Sequence, residues 1–255
     1  MNEILADVEQ VRADPYALWL GGGDYADYIG YTDKRFDPDC VPDNIKVSDL
    51  GMLGKVLTGR VAEIFDPIKH KCLGLLYGNH EKKYQNWENQ ASLHADLCEK
   101  LGVPNMGYSA IFDIEFHVCE SEPKIVKPSV VVGYNFGDQK NIKRRVYDHH
   151  GAGFATTPAG KLKRLIDFMY FFEADLYFVG HVHDQSGKRI AVLGGNENCD
   201  DLSHHERLGM ISGSYLKTYK RGVTTYGEMK GYAPTILGSA IARVNPVTGK
   251  FRGEI

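Results

Sequence analysis

The chain has little cysteine, no long apolar run and no excess of one charge, and each shortage excludes a class of protein. Its five cysteines, Cys40, Cys72, Cys98, Cys119 and Cys199, are odd in number and widely spaced, with no Cys-x-x-Cys pair. Neither a disulfide framework nor a thiolate zinc site is expected, and a reducing, cytoplasmic setting fits best. No apolar stretch approaches the roughly 20 residues that span a bilayer. Glu3, Asp7, Glu9, Arg12 and Asp14 interrupt the start of the chain, so no signal peptide, anchor or membrane partner is expected. A net charge of −3 supplies no global attraction to nucleic acid. The basic clusters, Lys140 with Lys143, Arg144 and Arg145, Lys161 with Lys163 and Arg164, and Lys217 with Lys220 and Arg221, read as solvated faces. There is no internal repeat and no low-complexity tract.

What is present is an ordinary folded composition: 255 residues, 43% hydrophobic and 25% charged, read as a single domain over residues 1–255. Ile4, Leu5, Val8 and Val11 recur at helical spacing, and the apolar run 17–20 then stops at Gly21-Gly22-Gly23, which leaves Asp24 at a strand's C-terminal end. Ser48 is placed to cap a helix through 50–64. A strand over 72–76 leads directly to Gly78-Asn79-His80. A helix over 91–101 follows, then strands over 108–118 and 130–134, the latter leading toward His149-His150-Gly151. A helix over 161–172 precedes a strand over 176–179, which ends in Gly180-His181-Val182-His183. Later strands are expected over 189–193, 208–212 and 236–244, with polar loops at 196–205 and 217–233. Early alternation of helix and strand argues for an α/β layered domain.

The recurring feature is positional. Asp24, Asn79, His150 and His181 each lie where an apolar run gives way to a glycine-bearing turn, the place where open α/β sheets carry ligands. A divalent metal in a hydrolase needs oxygen or imidazole nitrogen ligands, and a pair of metals needs a carboxylate that bridges them. Asp24 suits the bridge, Asn79 offers an amide oxygen, and His150, His181 and His183 offer imidazoles. His181 and His183 stand two apart, a spacing that in extended structure points both side chains the same way.

In order, Gly23-Asp24-Tyr25-Ala26-Asp27, Gly78-Asn79-His80-Glu81, His150-Gly151 and Gly180-His181-Val182-His183 resemble the motifs of the calcineurin-like metallophosphoesterases. The resemblance implies a four-layer α/β/β/α sandwich holding two divalent metals, Mn foremost, with Fe, Zn and Mg as alternatives. It makes Asp24 the bridge, Asn79, His150 and His181 the other ligands of one metal, and His183 a ligand of the other. It makes His80 the catalytic group facing the phosphate and Asp27 the acid that orients it. The implied reaction is hydrolysis of a phosphomonoester or phosphodiester by a metal-activated hydroxide, with a nucleotide or nucleic acid among the substrates it allows.

The family opens with a strand ending in Asp-x-His, which residues 1–23 lack. The only similar spacing, Asp7-Val8-Glu9, falls in a helical pattern and reads as a surface pair. The expectation is that the natural chain begins upstream with that segment and strand, a truncated relative being the alternative. Two other functions compete: a non-catalytic metal-binding or partner-binding module, and a nuclease subunit acting on DNA. At the third turn His149 is an alternative ligand, with the residue next to Gly151 preferred. His70, His94, His117, His204 and His205 are read as structural or surface residues, and Tyr215, Tyr219, Tyr226 and Tyr232 as loop packing or, alternatively, base stacking.

Overall fold

The computed structural model describes residues 2–38, 41, 45–88, 92–118, 125–126, 130–134, 142–153, 155, 157–195, 201–222 and 224–255. Cys40, Cys119, Lys140, Cys199 and residues 196–200 of the expected loop lie outside the described residues, as does the Tyr226 side chain. The chain is mixed α/β and forms two compact units, Met1–Tyr108 with Ser214–Gly238, and Ser109–Gly213 with Ser239–Ile255.

The first unit opens with helix α1 (Asn2–Ala13), whose terminal carbonyls would lack partners beyond the last turn. Lys71 supplies them: its buried Nζ donates to the carbonyls of Val11 and Asp14, both at 2.6 Å. Strand β1 (Trp19–Gly21) pairs in parallel with β2 (Cys72–Leu75), so their C-terminal ends lie side by side. Helix α2 (Leu53–Phe65) connects them, entered by a 3-10 turn over Val47–Met52. The expected Ser48 cap is not used. The Lys46 N–H donates instead to Asp49 Oδ2 at 3.0 Å, which closes the tighter turn first. Helices α3 (Asn79–Glu88) and α4 (Leu93–Leu101) follow, and Ser92 caps α4 by accepting from the Ala95 N–H at 3.2 Å. Leu75, Leu97, Leu101 and Val61 form the core between α2, α4 and β2. Trp19 stacks on Phe65 at its rim, with ring centroids 4.7 Å apart.

The second unit is built on a seven-stranded mixed sheet in the order β4-β5-β3-β6-β7-β9-β8. The strands are β3 (Ser109–Val118), β4 (Ile125–Val126), β5 (Val130–Tyr134), β6 (Ile142–His149), β7 (Leu176–Val179), β8 (Gln185–Gly195) and β9 (Leu202–Ser212). Helix α5 (Pro158–Phe171) connects the parallel strands β6 and β7. Its start combines Pro158 in the first turn with a Thr157 side chain that accepts from the Gly160 N–H at 3.2 Å. Leu165, Met169, Tyr147, Tyr177 and Ile211 pack between helix and sheet. A separate antiparallel hairpin, β10 (Ile241–Val244) with β11 (Phe251–Glu254), is tied to β6 by Arg144, whose guanidinium donates twice to the Gly249 carbonyl.

Several expected elements differ. Strand β6 was not expected because Lys143, Arg144 and Arg145 read as a solvated run. In the sheet, Lys143 and Arg145 pair with Asp113 of β3, at 2.7 and 2.9 Å. Residues 202–205, expected as loop, belong to β9, since a long hairpin partner satisfies their backbone groups regardless of their polarity. The last expected strand begins at Ile241 rather than 236, and β11 was not foreseen.

Candidate functional site

In the first unit the turns after β1 and β2 meet. Asp24 adopts a left-handed backbone (φ +54°), uncommon outside glycine. Its Oδ1 accepts the His80 N–H at 2.9 Å, at the positive end of α3. Only glycine fits at position 78, because a Cβ there would overlap the Asp24 carboxylate and stand 2.5 Å from its backbone nitrogen. Asn79 is the first residue of α3, so the Gly-Asn-His segment is a helix start rather than a plain loop.

Glu81 binds the two turns together. Its carboxylate, 3% exposed, accepts the N–H groups of Tyr25 (2.8 Å), Gly78 (2.9 Å) and Asp24 (3.2 Å). Burial and then the charge of Asp24 push its carboxyl pKa up, while the N–H groups of Tyr25, Glu81 itself and Gly78 hold it down. Glu81 closes the Gly78-Asn79-His80-Glu81 motif, whose resemblance implies no role for it. The signal available was an acid in the first turn of a helix that had not been foreseen.

His80 is oriented differently from the expectation for Asp27. Its Nδ1–H donates to the Asp27 backbone carbonyl at 2.8 Å, whereas the Asp27 carboxylate, about half exposed, stands 3.9 Å away. A carbonyl can only accept, so Nδ1 carries a proton, and Nε2 lies 3.9 Å from Asp24 Oδ2.

In the second unit the turns after β6 and β7 meet in the same way. His149 lies opposite Val179 in the parallel pairing, so His150-Gly151 and Gly180-His181 leave the sheet together. Gly151 has φ +108°, and a Cβ on it would overlap the Gly180 carbonyl oxygen and stand 2.8 Å from His181 Cβ. The fully buried His150 lies beside His181, with ring centroids 5.2 Å apart. His149 faces elsewhere: its ring packs on Phe168 at 4.8 Å, and its Nδ1 accepts the Gly151 N–H at 2.7 Å. Burial first, then the charges of His150 and Arg164, push the His149 pKa down to about 4, so it is neutral. Burial likewise pushes Asp148, enclosed on β6, up to about 7.

His181 and His183 are not in extended structure. The Val182 N–H donates to the Gly180 carbonyl at 2.8 Å, closing a tight turn around His181 (φ +69°), and His183 is left-handed as well (φ +48°). Their two-residue spacing therefore does not point both rings one way, because that rule holds only along a pleated strand. Two strained histidines this close together need the surrounding structure to hold them there, a pattern that gathers at functional sites.

Within the first unit the structure thus brings Asp24, Asp27, Asn79 and His80 to one pair of turns, and within the second it brings His150, His181 and His183 to another. The donors are carboxylate oxygen, amide oxygen and imidazole nitrogen, a set suited to Mn, Fe, Zn or Mg rather than to thiolate-seeking ions. Cys72 and Cys98, the described cysteines, are buried in the core. No family model, curated protein or solved structure matches the chain.

Proposed function

We propose that the chain is a metal-dependent phosphoesterase that hydrolyses a phosphomonoester or phosphodiester on a calcineurin-like α/β/β/α architecture. The observation that carries this reading recurs in each unit. Parallel strands end in the glycine turns that bear the motifs, and the turns are locked against each other with their metal-type donors together. In this reading Asp24, Asn79, His150 and His181 hold one divalent ion, and Asp24 with His183 contributes to the second. Bound metal would supply positive charge against the phosphoryl oxygens and acidify water near neutral pH.

The remaining work falls to the chain. His80 stands at the N-terminus of α3, where the positive end of the helix dipole favours a phosphate. With its Nδ1–H committed to the Asp27 carbonyl, the ring in its doubly protonated form presents Nε2–H to the leaving oxygen and can give it that proton. Glu81 holds both turns of the first unit in place.

The test is turnover of bis-p-nitrophenyl phosphate and p-nitrophenyl phosphate with added Mn, alongside calorimetric Mn titration. Asp24→Asn and His150→Ala are expected to lose both metal and activity. His80→Gln is expected to keep the metal and lose about 100-fold or more in rate. Turnover that survives Asp24→Asn and His150→Ala unchanged would sink the reading.

A further inference from the structure

The segment Ser214–Gly238 of the first unit takes no part in the chemistry proposed above. Its ends are joined, since Ser214 bridges to Leu237 and the Gly238 N–H donates to the Ser214 carbonyl at 3.1 Å. Threonines knit its interior. Thr235 Oγ1 donates to the Leu216 carbonyl at 2.5 Å, Thr225 Oγ1 donates to the Thr218 carbonyl, and Thr225 Oγ1 also accepts the Glu228 N–H at 3.1 Å. Tyr219 donates through its hydroxyl to the Tyr232 carbonyl at 2.8 Å, and Tyr215 to Asp7 of α1 at 2.5 Å. The loop is thus ordered by its own hydrogen bonds before anything binds, which lowers the entropy cost of a ligand.

On this frame the aromatic rings stay accessible: Tyr219 is 39% and Tyr232 56% exposed. Four cations, Lys217, Lys220, Arg221 and Lys230, stand against one carboxylate, Glu228, giving the segment a charge of +3 in a chain whose total is −3. Lys217 lies near Glu3, whereas Lys220 and Arg221 pair with no carboxylate among the described residues. A merely solvated basic face has no need of exposed aromatics fixed by hydrogen bonds.

We propose that this loop is a platform for single-stranded nucleic acid, with bases stacking on Tyr219 and Tyr232 and phosphates held by Lys220 and Arg221. A duplex fits less well because its base faces are already stacked. An anionic bilayer would accept the cations, but it favours side chains free to insert, and Tyr219 is tethered through its hydroxyl. Naming a polynucleotide as the ester that is cleaved rests on the phosphoesterase reading, whereas the binding itself does not.

The experiment is fluorescence anisotropy of labelled oligo-dT and oligo-U with the whole chain in EDTA. Unlabelled duplex serves as competitor, and phosphatidylserine vesicles as a second probe. At least one oligonucleotide is expected to bind, and Tyr219→Ala and Tyr232→Ala to weaken it about tenfold each. Tyr232→Phe keeps the ring and the backbone carbonyl to which Tyr219 donates, and should keep the affinity, which separates stacking from any damage to the loop. Lys220→Ala with Arg221→Ala should flatten the dependence of log affinity on log salt by about 1.4. The proposal is overturned by no binding to either oligonucleotide, by Ala variants that bind as well as the parent, by Tyr232→Phe as weak as Tyr232→Ala, by equal displacement with duplex, or by binding to vesicles in place of oligonucleotides. Because chelator is present, oligonucleotide binding without Mn-dependent turnover would sink only the catalytic reading. Turnover without binding would sink only this one.

Discussion

The strand pair β1–β2 of the first unit and the pair β6–β7 of the second end in glycine turns that look alike in sequence but are locked by different forces. After β1 and β2 the lock is electrostatic: the Glu81 carboxylate gathers three backbone N–H groups, and the Asp24 carboxylate caps α3. After β6 and β7 the lock is steric, with Gly151 pressed on the Gly180 carbonyl and His181 forced into a left-handed turn. A buried carboxylate can be weakened by removing its charge alone. A close backbone approach is broken by a single methyl group.

The largest expected effect is therefore Gly151→Ala. The added Cβ meets backbone rather than a side chain that can swing away, at a φ that only glycine tolerates well, so a loss of about 3 kcal/mol is expected in urea unfolding. A loss below about 1 kcal/mol would show that the turn yields and that the steric account is wrong. Next comes Glu81→Gln, which keeps shape but replaces one acceptor oxygen by an NH2 facing backbone donors. It should cost about 2 kcal/mol by the same measurement. If Glu81→Gln proves neutral, the two locks do not differ in kind.

The smallest effect sharpens the comparison through pH. Asp33 in the first unit is 5% exposed and accepts from Arg35, whose NH2 lies 2.7 Å away, and the guanidinium holds its carboxyl pKa below the usual value. A carboxyl with a depressed folded pKa contributes stability that is present above its unfolded pKa, about 3.9, and is lost as pH falls through the folded value. Asp33→Asn should thus lower stability by roughly 1–2 kcal/mol at neutral pH and narrow that gap on acidification below about pH 4. Asp113 in the second unit is depressed in the same direction by Arg145 and Lys143, but in a more exposed setting. Asp113→Asn should show a smaller change of the same sign. Equal curves for the two variants would mean that burial of the pair does not matter here.

Much of this was legible in the chain. Strand β7 matched the expected span, α4 and α5 lay within a few residues of theirs, and each motif turn fell at a strand end or helix start. The reason is local: apolar runs, glycine stops and Ser or Thr caps act over a few residues. Strand β6 and the outer part of β9 were not legible, because their charged and polar residues are satisfied by pairing with distant segments.

By itself the sequence determined which residues could act as donors and that each stands at the edge of a glycine turn, since residue type and punctuation are properties of neighbours. Only the tertiary structure decided that His150 rather than His149 lies beside His181, that Asp27 holds His80 through its carbonyl, and that Glu81 joins two turns 57 residues apart. Each of those outcomes depends on the direction of a side chain relative to a segment far along the chain, and sequence spacing carries no information about such directions until the strands have paired.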